Sequence, residues 1–178
     1  MDKKLAKWLD DHDIHYTLHT HPAVFTVSEA KIHSAHILGS HCKNLVLKNK
    51  RSGQLYLVTI PYDKSLDLKQ FRKMISAPKV RFADEHDLLD VLGLTPGAVS
   101  PLGLINDREN QVIFWIDETI WNAELICCHP NINTETLQIP RADFHRVINS
   151  TGNNFAIKND LPYLGANNME YRKNKNSI

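Results

Sequence analysis

A chain of 178 residues suits one domain, long enough to bury about two-thirds of its unfolded surface. Hydrophobic residues at 42% and charged residues at 23% argue against disorder, and no apolar run reaches the roughly 18 residues a membrane span needs. A net charge of +1 gives no global field to draw in nucleic acid. Any RNA contact must therefore use local clusters, such as Lys43/Lys48/Lys50/Arg51 or Lys69/Arg72/Lys73/Lys79/Arg81.

In chain order, residues 2–12 predict a short amphipathic helix with Leu5, Trp8 and Leu9 on one side. "IHYTLHTH" alternates as a half-buried strand, with Ile14, Tyr16 and Leu18 facing one way and His15, Thr17, His19 and His21 the other. Thr26 followed by Glu29 predicts a capped helix over about 27–38, closed by Gly39. Residues 44–50 and 54–61 predict two central strands joined by the "KRSG" turn.

Further on, Asp67 caps a helix to about Ser76, "KVRFA" is a short strand, and Asp84 caps a helix ending near Gly93. The stretch "GLTPGAVSPLGLINDREN" is expected as a long loop. "QVIFWID", "ELICCH" and "ETLQIP" are expected strands, and residues 141–151 a last helix stopped by Gly152. Residues 159–178 are expected as a polar tail beyond a domain of 1–158. Mixed strands and helices imply one α/β domain.

Few of the familiar catalytic patterns are present. The histidine row has no acidic partner on its face and no HExxH motif, so metal is the weaker reading. Cys42, Cys127 and Cys128 form no CxxC pair, and packing is the favoured role of the vicinal two. There is no G-x-S-x-G elbow and no phosphate-cradling glycine motif. The charged start "MDKKLAKWLDDHDIHY" lacks the apolar centre of a signal peptide, so the cytoplasm is expected.

Two places remain open. The loop "GAVSP", Gly97 to Pro101, reads either as a surface connection or as a run of N–H groups aimed at a carbonyl oxygen. Lys43 with Asn44 reads either as a solvated strand entry or as a phosphate-binding lysine beside a substrate-reading amide.

Four stretches taken together bear on both choices: "HPAVFTVSEA" (21–30), "HCKNLVLK" (41–48), "LGLTPGAVSPLGLIND" (92–107) and "HPNINTETLQI" (129–139). In this order and spacing the chain, from about residue 12 to 155, resembles the free-standing prolyl-tRNA editing proteins. Their superfamily includes the editing insertion of bacterial prolyl-tRNA synthetase and the YbaK deacylases. The resemblance implies a single α/β domain with a mixed, curved sheet flanked by helices. It also implies hydrolysis of alanine wrongly attached to proline tRNA. The family's essential lysine falls on Lys43, its asparagine on Asn44, and its G-x-x-x-P loop on Gly97, Ala98, Val99, Ser100 and Pro101. The pocket histidine falls on His129.

Candidate pocket walls are Val24, Phe25, Val46 and Leu104. Relatives often carry arginine where this chain has Lys79; a lysine keeps the charge but loses the bidentate fork, and Arg81 could point the same way. The implied partner is the acceptor end of mischarged tRNA(Pro), with prolyl-tRNA synthetase a further candidate and no membrane. No metal or cofactor is expected, because an aminoacyl ester is activated and needs neither triad nor zinc. Serine or cysteine esters would suit a similar pocket, and a binding module that kept the fold without the chemistry is the rival from another class.

Overall fold

The computed structural model describes residues 1–23 and 36–165. The expected helix over 27–38 and the candidate walls Val24 and Phe25 therefore lie outside the described residues, apart from that helix's last positions. Eight strands form one mixed sheet: β1 (Thr17–Thr20), β2 (Ser40–Asn49), β3 (Leu55–Pro61), β4 (Val80–Phe82), β5 (Val112–Asp117), β6 (Leu125–Cys128), β7 (Glu135–Pro140) and β8 (Phe155–Lys158). Their order is β1-β7-β6-β2-β3-β5-β8, with β4 also on β2. Around them stand α1 (Lys3–Asp11), α2 (Leu68–Met74), α3 (Glu85–Leu92), α4 (Glu118–Trp121) and α5 (Arg141–Thr151), plus a 3-10 helix at Pro101–Asn106. This is the α/β domain with a mixed sheet and flanking helices that the sequence implied.

Alternation along the central strands sorts the core onto two faces. Val46, Leu55, Leu57, Val112, Phe114 and Ile116 pack on one face with Leu5 and Leu9 of α1, Leu88 and Leu92 of α3, and Phe144 and Val147 of α5. Their neighbours Leu47, Tyr56, Val58 and Ile60 pack on the other face against Phe71 of α2, Leu66 and Leu161. Burial on both faces explains why β2 and β3 read as dense apolar runs rather than as polar–apolar alternation.

Helix ends follow local chemistry. Asp67 accepts from Lys69 N and Gln70 N, and Asp84 with Asp87 closes a reciprocal capping box. Gly93 and Gly152 end α3 and α5 in the left-handed region, at φ 62° and 80°. Several elements depart from expectation, the short α4 among them. The long loop contains the 3-10 helix, started by Ser100 and Pro101. β8 extends the sheet beyond α5. In β1 the faces are exchanged: Leu18 is 42% exposed, whereas His19 and His21 are half-buried toward the protein.

The segment expected to open a polar tail packs back onto the domain. Leu161 is buried, Asp67 N donates to Pro162 O at 2.7 Å, and the Tyr163 hydroxyl bonds the Asp117 carboxylate. No helix among the described residues is long and apolar enough to cross a membrane.

Candidate active site

β2 is longer than the strands beside it, and this shapes the site. On one edge it pairs with β3 without interruption from Cys42 to Lys48. On its other edge it meets β6 only at Ser40 and His41, and β4 only from Leu47 to Asn49, with Ala83 N donating to Val46 O just before. Among the described residues, no strand pairs with positions 42–45 on that side. The sheet is split there, and Lys43 and Asn44 border the opening.

The uninterrupted β2–β3 register sends these two side chains to opposite faces. Asn44 sits opposite Thr59 and faces the GAVSP loop. The buried Thr59 hydroxyl donates to Asn44 Oδ1 at 2.7 Å, and Asn44 Nδ2 donates to Val99 O at 3.1 Å. Those two bonds fix which end of the amide points where. They also hold the Val99–Ser100 peptide. A trans peptide directs its C=O and N–H oppositely, so anchoring Val99 O on Asn44 turns the Ser100 N–H away from that residue. Asn44 is thus built to orient the loop.

The loop itself is shaped by Gly97 at φ 87°, a conformation that favours glycine. Ala98 N donates to Thr95 O at 3.0 Å, whereas neither Val99 N nor Ser100 N bonds a backbone or side-chain acceptor among the described residues. The Ser100 side chain is fully buried; its hydroxyl accepts from Leu102 N and meets the Cys128 sulfur. Pro101 is buried and starts the 3-10 helix, so the loop leaves on a rigid element.

Beside the loop lies a cavity of about 50 Å³ lined by His41, Cys42, Tyr62, Cys127, Cys128, His129 and Thr136. It is roomy enough for ordered water or a small group. Cys42 Sγ donates to Cys127 O at 3.4 Å within the wall, and Cys128 meets Ser100, so the cavity wall adjoins the loop. Burial pushes the Cys42 and Cys127 thiols up to about 12 and the Cys128 thiol up as well. Protonated and enclosed, they pack; they are not nucleophiles at neutral pH.

His129 Nδ1 lies 2.8 Å from Glu135 O, and a carbonyl can only accept, so Nδ1 carries the proton and Nε2 the lone pair. Burial lowers the His129 pKa, the Glu135 carbonyl opposes that, and His21 and His41 add a further lowering. His21 stands 5.9 Å away, ring to ring, with its Nε2 3.0 Å from Thr136 Oγ1. Because the folded state resists protonating His129, it binds fewer protons than the unfolded chain below the ordinary histidine value of about 6.5. Stability is therefore fully present above that pH and declines as pH falls through it. Melting curves from pH 7.5 to 5 should show wild type losing Tm relative to His129→Gln; a constant difference would contradict this assignment.

The remaining sequence candidates fall into four groups. Lys43 is half-buried on the face of Leu45, Leu47 and Ile60; burial lowers its pKa, partly offset by Asp63. Val46 and Leu104 are core residues, 5% and 1% exposed, and can shape a pocket only from beneath. Arg81 is spent internally, with NH2 2.7 Å from Asp87 and 3.1 Å from Asp84, while Lys48 reaches Asp87 at 2.5 Å. These cations hold the Asp87 pKa down at about 2 against the effect of burial. Lys79 stays exposed at the far end of β4.

Sequence reasoning missed Thr59 and the cavity wall of His41, Tyr62 and Thr136. Only pairing across β2, β3, β6 and β7 brings them together, and although His41 and Thr136 lie in the stretches that carry the resemblance, nothing local marks their part in the wall.

Residues 21–147 match the model of a family described as the aminoacyl-tRNA editing domain. The chain belongs to that family. The match runs from His21, beside the cavity, through the split in β2, the GAVSP loop and His129, to α5. Members are deacylases, and this chain is an enzyme of that kind: an ester hydrolase acting on aminoacyl-tRNA. Similar curated proteins include the prolyl-tRNA editing protein ProX of Acetoanaerobium sticklandii, 35% identical over 158 residues, covering 87% of this chain and 96% of that one. The prolyl-tRNA synthetase associated domain-containing protein 1 of Danio rerio is 36% identical over 151 residues, covering 84% and 82%. Among solved structures, one described as "a putative trans-editing enzyme for prolyl tRNA synthetase" aligns with a TM-score of 0.64 at 18% identity, over 88% of this chain and 97% of that one. That last likeness bears on the fold of the editing domain.

Proposed function

We propose that this editing domain acts in trans on mischarged tRNA(Pro), hydrolysing the ester of Ala-tRNA(Pro) to free alanine and tRNA. The observation that carries the reading is the clamp of Thr59 and Asn44 on Val99, which presents loop amides beside a small cavity. The names of the relatives above point to proline tRNA as the carrier.

In this reading, water attacks the acyl carbonyl while the Val99 and Ser100 N–H groups receive the developing oxyanion. The carbonyl carbon gains the water oxygen, a proton leaves that water, and the 3′ or 2′ ribose oxygen departs carrying a proton. The neighbouring ribose hydroxyl of the substrate assists the proton transfer. His129 Nε2, neutral and unprotonated, orients the reacting groups. Lys43 holds the terminal phosphate from the other side of the opening, as a compact ammonium suits.

Selectivity rests on size. A synthetase site built for proline rejects alanine by only about 1–3 kcal/mol, so a second, smaller pocket is needed. A small pocket walled by Cys42, Cys127, Cys128 and His129 would favour a methyl group over a pyrrolidine ring. Serine and cysteine are the nearest competitors in size. Deacylation of Ala-, Ser-, Cys- and Pro-tRNA(Pro) tests the proposal: alanine should be released fastest and proline spared. Preferential release of cysteine or serine would reassign the amino acid, and no release from any of the four would leave a binding module.

A further inference from the structure

The two basic clusters legible in the sequence meet as one surface in the fold, once Lys43, Lys48 and Arg81 are set aside. Lys50 N donates to Lys79 O at 3.0 Å, joining the β2–β3 turn to the start of β4. Arg72 reaches Pro78 O with its guanidinium at 3.0 Å, and Ala77 N donates to Arg72 O at 2.8 Å, joining the end of α2 to the same place. Lys50, Arg51, Arg72, Lys73 and Lys79 are all exposed there, with Lys69 one turn back along α2. None of them forms an ion pair among the described residues, whereas Lys48 and Arg81 are neutralised on Asp87 and Asp84. Asp67, the N-cap of α2, spends its carboxylate on its own helix. In a chain with a net charge of only +1, unpaired cations drawn from three elements make a concentrated positive face.

Its position gives the face a direction. Lys43 alternates to the side of the sheet on which α2 packs, the side that carries Arg72 and Lys73, and the turn at Lys50, just past the end of β2, lies about 23 Å beyond it at about 3.3 Å per residue. A group anchored at Lys43 cannot itself reach that far. A polyanion continuing from it along this side would.

We propose that this face, built from Lys50, Arg51, Arg72, Lys73 and Lys79, binds the duplex phosphates of the acceptor stem whose 3′ end enters the split in the sheet. The inference rests on the editing reading for the identity of the RNA. The ligand chemistry, a double-stranded phosphate backbone contacted without base readout, follows from flexible and mostly lysine cations on turns and helix ends.

The test is a K50E/R51E/K73E variant, chosen because these side chains form no hydrogen bond or ion pair among the described residues. Its Tm should match wild type. KM for full-length Ala-tRNA(Pro) should rise about tenfold, and KM for a stemless, single-stranded 3′-alanylated oligonucleotide should not change. Binding of uncharged tRNA should weaken, with a log–log salt dependence shallower by about 3. An unchanged KM on tRNA, or an equal rise on both substrates, would overturn the proposal. The uncharged-tRNA arm separates the two claims. If wild type released no amino acid, the editing reading would fall. Weakened RNA binding by the variant would still support the face, and undiminished binding would overturn it. Loss of binding to prolyl-tRNA synthetase with RNA binding intact would make the face a protein-docking surface and overturn the RNA assignment.

Discussion

Replacing Asn44 with alanine is expected to lower kcat for deacylation by about 100-fold while KM changes little. The size follows from what one oxyanion donor contributes when it is misplaced, about 10²–10³ in rate. In the folded protein the Thr59 hydroxyl holds Asn44 Oδ1, and Asn44 Nδ2 holds Val99 O, so the loop peptide is oriented before substrate arrives. Without the amide, Val99 O loses its anchor, and the Ser100 N–H no longer has one direction. The substrate's RNA contacts would be untouched, which is why the loss should appear in kcat.

Thr59→Val probes the same relay from one step further away. Valine keeps the shape but removes the hydroxyl, leaving Asn44 free to flip, and a loss of about tenfold in kcat is expected. Thr59→Ser should restore the rate. If Thr59→Val reduced stability with kcat intact, Thr59 would be a packing residue and the relay would be wrong.

The largest expected loss of stability lies at Asp107, away from the chemistry. Its carboxylate is 3% exposed and accepts from Gln111 N at 3.0 Å, Val112 N at 2.8 Å and Asn153 Nδ2 at 2.6 Å. Asn153 in turn donates to Val112 O at 3.0 Å, so the acid ties the end of the 3-10 helix to the start of β5 and to the entry of β8. Asp107→Ala would strand these donors in the interior at a cost of about 3 kcal/mol. For a chain of this length that corresponds to a Tm lower by roughly 10 °C. Activity per folded molecule should survive. A shift under 2 °C would show that water replaces the carboxylate.

What could be read from the sequence tracked local chemistry. Asp67, Asp84, Gly93 and Gly152 each set a helix boundary through contacts within a few residues, and the structure ends those helices where the caps require. The faces of β1 came out exchanged because alternation names two faces without saying which is inward. Among the described residues β1 pairs only with β7, and the side carrying His19 and His21 turns toward the cavity wall at Thr136, leaving Leu18 outside. The short β8 carries too weak a pattern to register alone; Phe155 and Ala156 gain meaning only beside Phe114 and Trp115.

The site was legible in part for the same reason. Asn44, the GAVSP loop and His129 could be nominated from sequence and resemblance, and the fold gathers them around one opening. That Lys43 approaches from the opposite face depends on a strand register set by residues 55–61, and the split depends on where β6 and β4 stop. Neither is encoded near position 43. Arg81 shows the reverse case: charge suggested RNA, yet two acids on α3 and its cap consume it.

The central claim is that the acyl group is held at the split in the sheet, between Lys43 and the main chain near Val99. It is tested most directly by titrating the isotopically labelled protein with alanyl-adenosine in which an amide replaces the ester, and following backbone amide chemical shifts. The account predicts that the largest shifts fall on Val99 and Ser100, with Asn44 and His129 next and β8 silent. Shifts that left the 97–101 loop unmoved and gathered elsewhere would contradict it.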